Sequence, residues 1–420
     1  MPPMLFTDLG LCPALLDAVA TNGFTTPTAV QTAAIPPAIA GQDVLAKAQT
    51  GSGKTIAFAL PLLQTLTQTR NTRTRSPKAL VLVPTRELVV QAGETISLLS
   101  KSMPASVKVS VVFGGVSINP QMMALRGGTD IVVATTGRLL DLIDRNALTL
   151  SSVSMLVLDE ADRMLDLGFS EELQRILALL PSKRQNLFFS ATYPAGVEAL
   201  ANTILQNPVR VDVVQKASDQ PDITQRAIAV DPARRTQLLR HLITTEAWPR
   251  VLVFVATKHA AEIVADKLRR VHIDAEPFHG ELSQGKRTQV LHDFKASRIR
   301  VVVATDMAAR GLDITQLPAV VNFDLPRSSA DYTHRIGRTG RAGQAGIAIS
   351  FVGATTEPHF QLIERRQGHA VPREVIAGFE PAETAPVSAD AANGGIKGKR
   401  PSKKDKLRAA KAASGLPTLN

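Results

Sequence analysis

Short runs of Val, Ile, Leu and Ala recur along this chain, separated by longer stretches with the apolar spacing of helices. A strand buried on both faces reads as a continuous apolar run, so the alternation is the pattern of βαβ units around a parallel sheet. The candidate strands fall into two sets. Ala79–Val83, Val107–Phe113, Asp130–Ala134, Met155–Leu158 and Asn186–Phe189 make the first; Val251–Val255, Ala275–Phe278, Ile299–Ala304 and Ala319–Phe323 make the second. The sets repeat one another in order. Ala79–Val83 resembles Val251–Val255, Val112–Gly115 resembles Pro277–Gly280, and Ile131–Thr135 resembles Val301–Thr305. A repeat of this length predicts two copies of one α/β domain rather than a solenoid.

Between the copies, Pro208 and Pro221 flank a segment, Gln215–Pro221, that lacks helical periodicity. The expected division is a first domain over 1–207, a linker over 208–220, a second domain over 221–368 and a basic tail over 369–420. Beyond about Glu380, Ala, Pro, Gly and Lys dominate and aromatic residues vanish. Such a composition buries too little apolar surface to offset ordering, so disorder is expected there.

The totals narrow the class. Hydrophobic residues at 44% and charged residues at 20% suit a folded soluble protein, and 4% aromatics means a core of Val, Leu, Ile and Ala. Cys12 is the one cysteine, which excludes an internal disulfide, and Gly10–Pro13 offers it no base for thiol chemistry. No apolar run reaches bilayer length, and Met1–Gly10 lacks the basic start and apolar stretch of a signal peptide. The expected location is the cytoplasm, with no membrane partner. The net charge of +11 favours a polyanionic partner, but residues 397–411 alone carry eight Lys or Arg against Asp405. That segment is expected either to tether nucleic acid or to solubilise the chain.

Gly51-Ser52-Gly53-Lys54-Thr55 follows the apolar stretch Asp43–Lys47 and precedes a helical run, Ile56–Leu66. Strand, glycine turn and helix form the setting of a phosphate-binding loop. Its backbone N–H groups and the helix N-terminus cradle phosphate oxygens, Lys54 reaches the β and γ phosphates, and the Thr55 hydroxyl binds Mg²⁺. The strict pattern asks for Gly where the chain has Ala48. Downstream, Met155–Leu158 runs into Asp159, Glu160 and Asp162. Carboxylates at the carboxyl edge of an open α/β sheet stand where ligands bind, so Asp159 is placed to hold Mg²⁺ and Glu160 to orient the attacking water.

At this point the sequence resembles the DEAD-box family of ATP-dependent RNA helicases over about residues 5–365. Asp159-Glu-Ala-Asp162 is the family's naming motif. Ala48-Gln-Thr-Gly-Ser-Gly-Lys-Thr55 resembles motif I, Ser190-Ala-Thr192 motif III, Ala304–Asp313 motif V, and His334–Arg341 motif VI. The short basic tail resembles that of the bacterial RhlE-like group. The resemblance implies two tandem RecA-like domains, each a parallel sheet flanked by helices, that close over ATP and single-stranded or short duplex RNA. It implies ATP and Mg²⁺ as cofactors, and ribosomal or RNA-decay proteins as classes of partner.

Residue roles follow from the same resemblance. Gly23–Gln31 looks like the Q motif, in which Gln31 reads adenine through its amide, and Phe6 matches an aromatic that stacks on the base. Thr50, Gly51, Ser52, Gly53, Lys54 and Thr55 hold the phosphates, and Asp313 the ribose. Pro84, Thr85, Arg86, Gly114, Gly115, Thr135, Gly137 and Arg138 in the first domain, with Gly280, Arg287 and Thr305 in the second, match residues on the RNA backbone. Such contacts position a strand without reading bases, and a 2′-OH contact separates RNA from DNA. Arg338 and Arg341 match arginine fingers on the γ-phosphate. Asp162, Ser190, Thr192 and His334 match the residues that couple the domains. Two family prolines are replaced, by Ala29 and by Thr136. The implied activity is RNA-dependent ATP hydrolysis with local unwinding of short duplexes or remodelling of RNA–protein complexes. The alternatives are a nucleotide-gated RNA clamp with little unwinding and a DNA-directed motor on the same fold. A GTPase or ABC-type ATPase is disfavoured, because neither Asn-Lys-x-Asp nor Leu-Ser-Gly-Gly occurs.

Overall fold

The computed structural model describes residues 4–48, 51–69, 75–213, 223–309, 314, 317–340 and 345–383. Two sheets organise it, and every strand pairing in both is parallel. The first holds β1 (Val44–Lys47), β2 (Ala79–Leu82), β3 (Val109–Val112), β4 (Ile131–Ala134), β5 (Met155–Leu158), β6 (Gln185–Ser190) and β7 (Val209–Asp212). The second holds β8 (Ile223–Ala229), β9 (Val251–Val255), β10 (Ala275–Phe278), β11 (Val301–Thr305), β12 (Ala319–Asn322), β13 (Gly346–Val352) and β14 (Arg373–Glu374). Their orders are β3-β4-β2-β5-β6-β1-β7 and β10-β11-β9-β12-β13-β8-β14. Adding seven to each strand number of the first order yields the second, so the duplication read from three peptide matches extends to the whole topology.

Helices cover both faces of each sheet, which is why the strands read as unbroken apolar runs. Along β2 the side chains alternate: Ala79 and Val81 join one core cluster, Leu80 and Leu82 the other. In the second lobe Val251, Val253 and Val255 face the cluster that includes Trp248, while Leu252 and Phe254 face the opposite one. The fold is two tandem RecA-like lobes, as the sequence implied.

Two expected boundaries move. The linker was expected from residue 208, yet Val209–Asp212 pairs with β1 as the edge strand of the first sheet. Alternation of Val209 and Val211 with Arg210 and Asp212 is the pattern of a half-buried edge, weaker than the central runs. The tail was expected from residue 369, yet Arg373–Glu374 pairs with β8. Polar contacts hold this extension. Arg373 binds Glu357 and Glu364, Glu374 receives Arg226 at 2.7 Å, and the Ala382 N–H donates to Asp231 at 2.8 Å. The second lobe therefore extends beyond residue 368, at least to Glu383. The expected disorder of the tail concerns 384–420, which lie outside the described residues, as does most of the expected linker, 214–220. No helix of the described residues is long and apolar enough to cross a membrane.

Candidate active site

The topology divides the carboxyl edge of the first sheet into two halves. Pro84–Arg86 follow β2, Gly114 and Gly115 follow β3, and Thr135 follows β4, so the RNA-backbone candidates sit on three adjacent strands. The phosphate loop follows β1, Asp159 follows β5, and Ser190 ends β6, which are the next three strands of the order apart from the edge. In the second sheet Gly280 follows β10 and Thr305 ends β11, again neighbours.

Gly51 and Gly53 turn the phosphate loop with φ of 81° and 93°, a left-handed backbone that only glycine adopts freely. A Cβ on Gly53 would also collide with the Gln31 amide. Gln31 is buried. Its Nε2 donates to the Gly53 carbonyl at 3.1 Å, and its Oε1 accepts the Thr28 N–H at 2.9 Å. The structure thus uses Gln31 to cap the helix Ala29–Ile39 and clamp it to the loop. A second donor hydrogen and a second lone pair remain on the amide for a base. Phe6 is packed into the core at 5% exposure, which leaves little ring surface for adenine to stack on.

Lys54 opens the helix Lys54–Thr69 and lies buried, with Nζ 3.4 Å from Asp159 Oδ1 and no hydrogen bond among the described residues. Burial pushes the Asp159 carboxyl above its ordinary range, against the pull of Lys54. A buried ammonium without a hydrogen bond beside a buried carboxylate is the arrangement that phosphate oxygens and a hard cation would complete. The Thr55 hydroxyl and Asp159 carboxylate are oxygen donors of the kind Mg²⁺ takes when phosphates and water supply the rest.

Glu160 has a left-handed backbone, φ 53° and ψ 48°, at the start of the helix Ala161–Asp166. Non-glycine residues held there store strain, and such residues cluster at functional sites. Its Oε2 accepts Arg163 Nη1 at 2.6 Å. Burial works to raise this carboxyl, but Arg163, Lys54 and Arg338 together hold it at about 2. Arg338 belongs to the other lobe and lines one small cavity with Arg163, so the two lobes meet beside this pair.

Asp162 ties the DEAD segment to the loop after β6. Its carboxylate accepts the Thr192 N–H at 2.9 Å and the Thr192 hydroxyl at 2.7 Å, and its own N–H donates to Ser190 Oγ at 3.3 Å. His334 is pushed below its ordinary value by burial and by Arg163 and Arg338, against Glu160 and Asp162. It borders one small cavity together with Arg163 and Arg338. Arg335, by contrast, stays at home: it binds Asp306 through Nε at 2.6 Å and Nη2 at 2.7 Å, and lies over the Phe254 ring.

Among the RNA candidates, Arg86 packs over Gly115, whose left-handed φ of 77° and lack of Cβ make the space for it. Thr85 caps the helix Arg86–Ser100. Gly114, Gly137 and Gly280 have nothing within 4 Å of where a Cβ would stand, so their backbone faces open space. Two arginines are not presented as the resemblance implied. Arg138 is buried and donates to the Val116 carbonyl at 2.7 Å, supporting the Gly114–Val116 loop from beneath. Arg287 is buried and pairs with Glu87 of the other lobe at 2.7 Å. Thr50, Asp313 and Arg341 lie outside the described residues. Arg163 escaped the sequence reading; one helical turn beyond Glu160 was the available signal.

Comparison with known proteins agrees with this geometry. The DEAD/DEAH box helicase family model matches residues 28–200, and the helicase conserved C-terminal domain model matches 234–343. The chain is 41% identical over 360 residues to the DEAD-box ATP-dependent RNA helicase CshA of Bacillus cereus, covering 86% of this chain and 67% of that one. It is 41% identical over 375 residues to the ATP-dependent RNA helicase DeaD of Escherichia coli, covering 89% and 59%. Among solved structures it resembles S. cerevisiae Dbp5 bound to RNA and ADP BeF3, with a TM-score of 0.78, 31% identity and coverage of 88% and 95%. It also resembles Mss116p bound to ssRNA and AMP-PNP, with a TM-score of 0.79, 27% identity and coverage of 90% and 80%.

Proposed function

This chain belongs to the DEAD-box family of ATP-dependent RNA helicases, and from that premise we propose how its residues divide the work. The enzyme is an RNA-dependent ATP hydrolase that opens RNA structure. The observation that carries the division of roles is the small cavity at which His334 and Arg338, from lobe two, meet Arg163, from lobe one, which is itself paired with Glu160.

Lys54 and the backbone of Gly51–Thr55 bind the phosphates, with Thr50 at the loop's start. Thr55 and Asp159 would hold Mg²⁺, which would supply positive charge against the phosphates. Glu160 orients the water. The water's oxygen bonds to the γ-phosphorus as the bridging P–O bond breaks, ADP keeps the bonding pair, one of the water's protons stays on the new P–OH and the other passes to a phosphate oxygen or solvent. Arg338 and Arg341 stabilise the charge that develops, an effect worth roughly 10³ to 10⁵ in related chemistry. Gln31 reads adenine with its remaining amide capacity, and Asp313 holds the ribose.

Single-stranded RNA lies along the β3-β4-β2 and β10-β11 edges. It is held without base readout by Arg86, Thr85, Thr135, Thr305 and the open backbone of Gly114, Gly137 and Gly280. Arg138 and Arg287 act on it indirectly, by holding loops and lobes in register. ATP and RNA both bridge the lobes, so each tightens the other. Asp162, Ser190, Thr192 and His334 transmit that coupling. The RhlE-like placement, a cytoplasmic location and partners from ribosome assembly or RNA decay belong to the same proposal.

The test is ATP hydrolysis with no nucleic acid, with single-stranded RNA and with DNA of the same sequence, beside Glu160→Gln. Stimulation by RNA that drops by roughly 10² to 10⁴ in the variant is expected. Equal stimulation by DNA would reject RNA selectivity, and an active Glu160→Gln would reject the role of Glu160.

A further inference from the structure

Glu160 poses a physical problem. Its left-handed backbone is strained and its carboxylate is almost wholly buried, so something must fix the side chain in place. Arg163, one turn along the same short helix, contributes directly to this. Its Nη1 donates to Glu160 Oε2 at 2.6 Å, and the two side chains are 7% and 5% exposed. A buried ion pair is weak evidence for stability, since well-packed apolar residues would serve as well; its best use is to specify one arrangement. The pair sits at the seam of the lobes. Arg163 lines the cavity that His334 and Arg338 also line, and its buried Nε has no hydrogen bond among the described residues. Through Nη1 the guanidinium is anchored on the carboxylate of Glu160, the residue assigned above to orienting the water.

We propose that Arg163 is a positioning residue for ATP hydrolysis, holding the Glu160 carboxylate in the single orientation that aligns the attacking water. This rests on the assignment of Glu160 above. Arg163 touches neither substrate nor RNA in this scheme. Its loss should act on turnover and spare binding, because a small displacement of an aligning group costs rate without removing a ligand contact.

The experiment compares Arg163→Met, Arg163→Lys, Glu160→Gln and the double variant Arg163→Met with Glu160→Gln, all in the full-length protein. RNA-stimulated kcat, the Kd of a non-hydrolysable ATP analogue, the Kd of single-stranded RNA and the thermal midpoint are measured. Arg163→Met is expected to lower kcat on the order of 10²-fold with both Kd values unchanged. Arg163→Lys should recover part of the loss, and the double variant should be no slower than Glu160→Gln. Wild-type turnover in Arg163→Met beside an inactive Glu160→Gln would overturn the proposal alone. An active Glu160→Gln would overturn the Glu160 assignment and this inference with it. If Met and Lys both weaken ligand binding and lower the thermal midpoint, Arg163 is a structural residue and the proposal fails.

Discussion

At the same corner of their common strand order, both lobes set a basic side chain against a carboxylate. In lobe one Lys54, first residue of the helix after β1, faces Asp159 just beyond β5. In lobe two Arg235, first residue of the helix Arg235–Thr245, faces Asp324 just beyond β12. The second pair is closed. Arg235 Nη1 lies 2.9 Å from Asp324 Oδ1, and Oδ2 accepts the Ala256 N–H at 2.9 Å. The first pair is open, at 3.4 Å with Lys54 making no hydrogen bond among the described residues. Arg235 Nε also lacks a hydrogen bond among the described residues, but its Nη1 is bonded to the carboxylate, whereas the Lys54 ammonium has no hydrogen bond there at all, so the lobe-one copy is the one with donors left for a ligand. The shared corner is thus closed in lobe two and open in lobe one, where the proposed phosphate site lies.

The sharpest way to break this comparison is to remove the cation from each corner. Lys54→Ala should reduce RNA-stimulated kcat by roughly 10² to 10³ and leave the folded fraction intact. Arg235→Ala should do the reverse, costing about 1–3 kcal/mol of unfolding free energy with kcat per folded molecule unchanged. Steady-state ATPase rates and denaturant titration of both variants decide it. Turnover lost in Arg235→Ala without loss of stability would give lobe two a share of the chemistry and end the contrast.

A smaller effect tests the same contrast within motif VI, where Arg335 is tied into its own lobe while His334 shares a cavity with Arg163 of the other lobe. Burial lowers the His334 pKa in the assembled state, so the separated or unfolded state binds the proton more tightly. The contribution of His334 to lobe closure is therefore complete above its ordinary pKa and is lost as pH falls through it toward the lowered value. The apparent affinity for RNA in the presence of ATP should weaken between about pH 7.5 and pH 6, by at most about tenfold per unit. His334→Asn should flatten the profile. A profile unchanged by the substitution would place the titrating group elsewhere.

The sequence made the central strands and the phosphate and DEAD segments legible because these need particular residue types in a row. Continuous apolar runs leave no other home than a sheet buried on both faces, and Gly51, Gly53, Lys54 and Asp159 suit few other chemistries. Edge elements were harder. β7 and β14 have one face or one side in solvent, so Val209–Asp212 and Arg373–Glu374 carry mixed sequences, and what fixes β14 is an ion-pair network with distant Glu357 and Arg226. Arginines were hardest. Spacing does not say which carboxylate a long side chain meets, so Arg287 read as an RNA contact and proved to bind Glu87, while Arg163 was not seen at all.

The smallest expected effect carries the contrast between satisfied and unsatisfied groups to the two missing prolines. Thr136 and Ala29 are both the first residue of a helix, where proline is well tolerated, and each follows a residue in extended backbone, as proline requires. Their surroundings differ. Thr136 is buried, and its hydroxyl has no hydrogen bond among the described residues. Ala29 is exposed, beside a capping-box pair in which Gln31 Oε1 already accepts the Thr28 N–H. Both substitutions to proline restrict the unfolded chain, worth about 0.5 kcal/mol each. Thr136→Pro also removes the unsatisfied hydroxyl and should gain about 1 kcal/mol in total. The urea midpoint should rise in both variants with the slope unchanged, and rise further for Thr136→Pro. Equal shifts would mean that the Thr136 hydroxyl is hydrated or bonded in solution. A larger shift for Ala29→Pro would mean that the capping box leaves the helix start underdetermined.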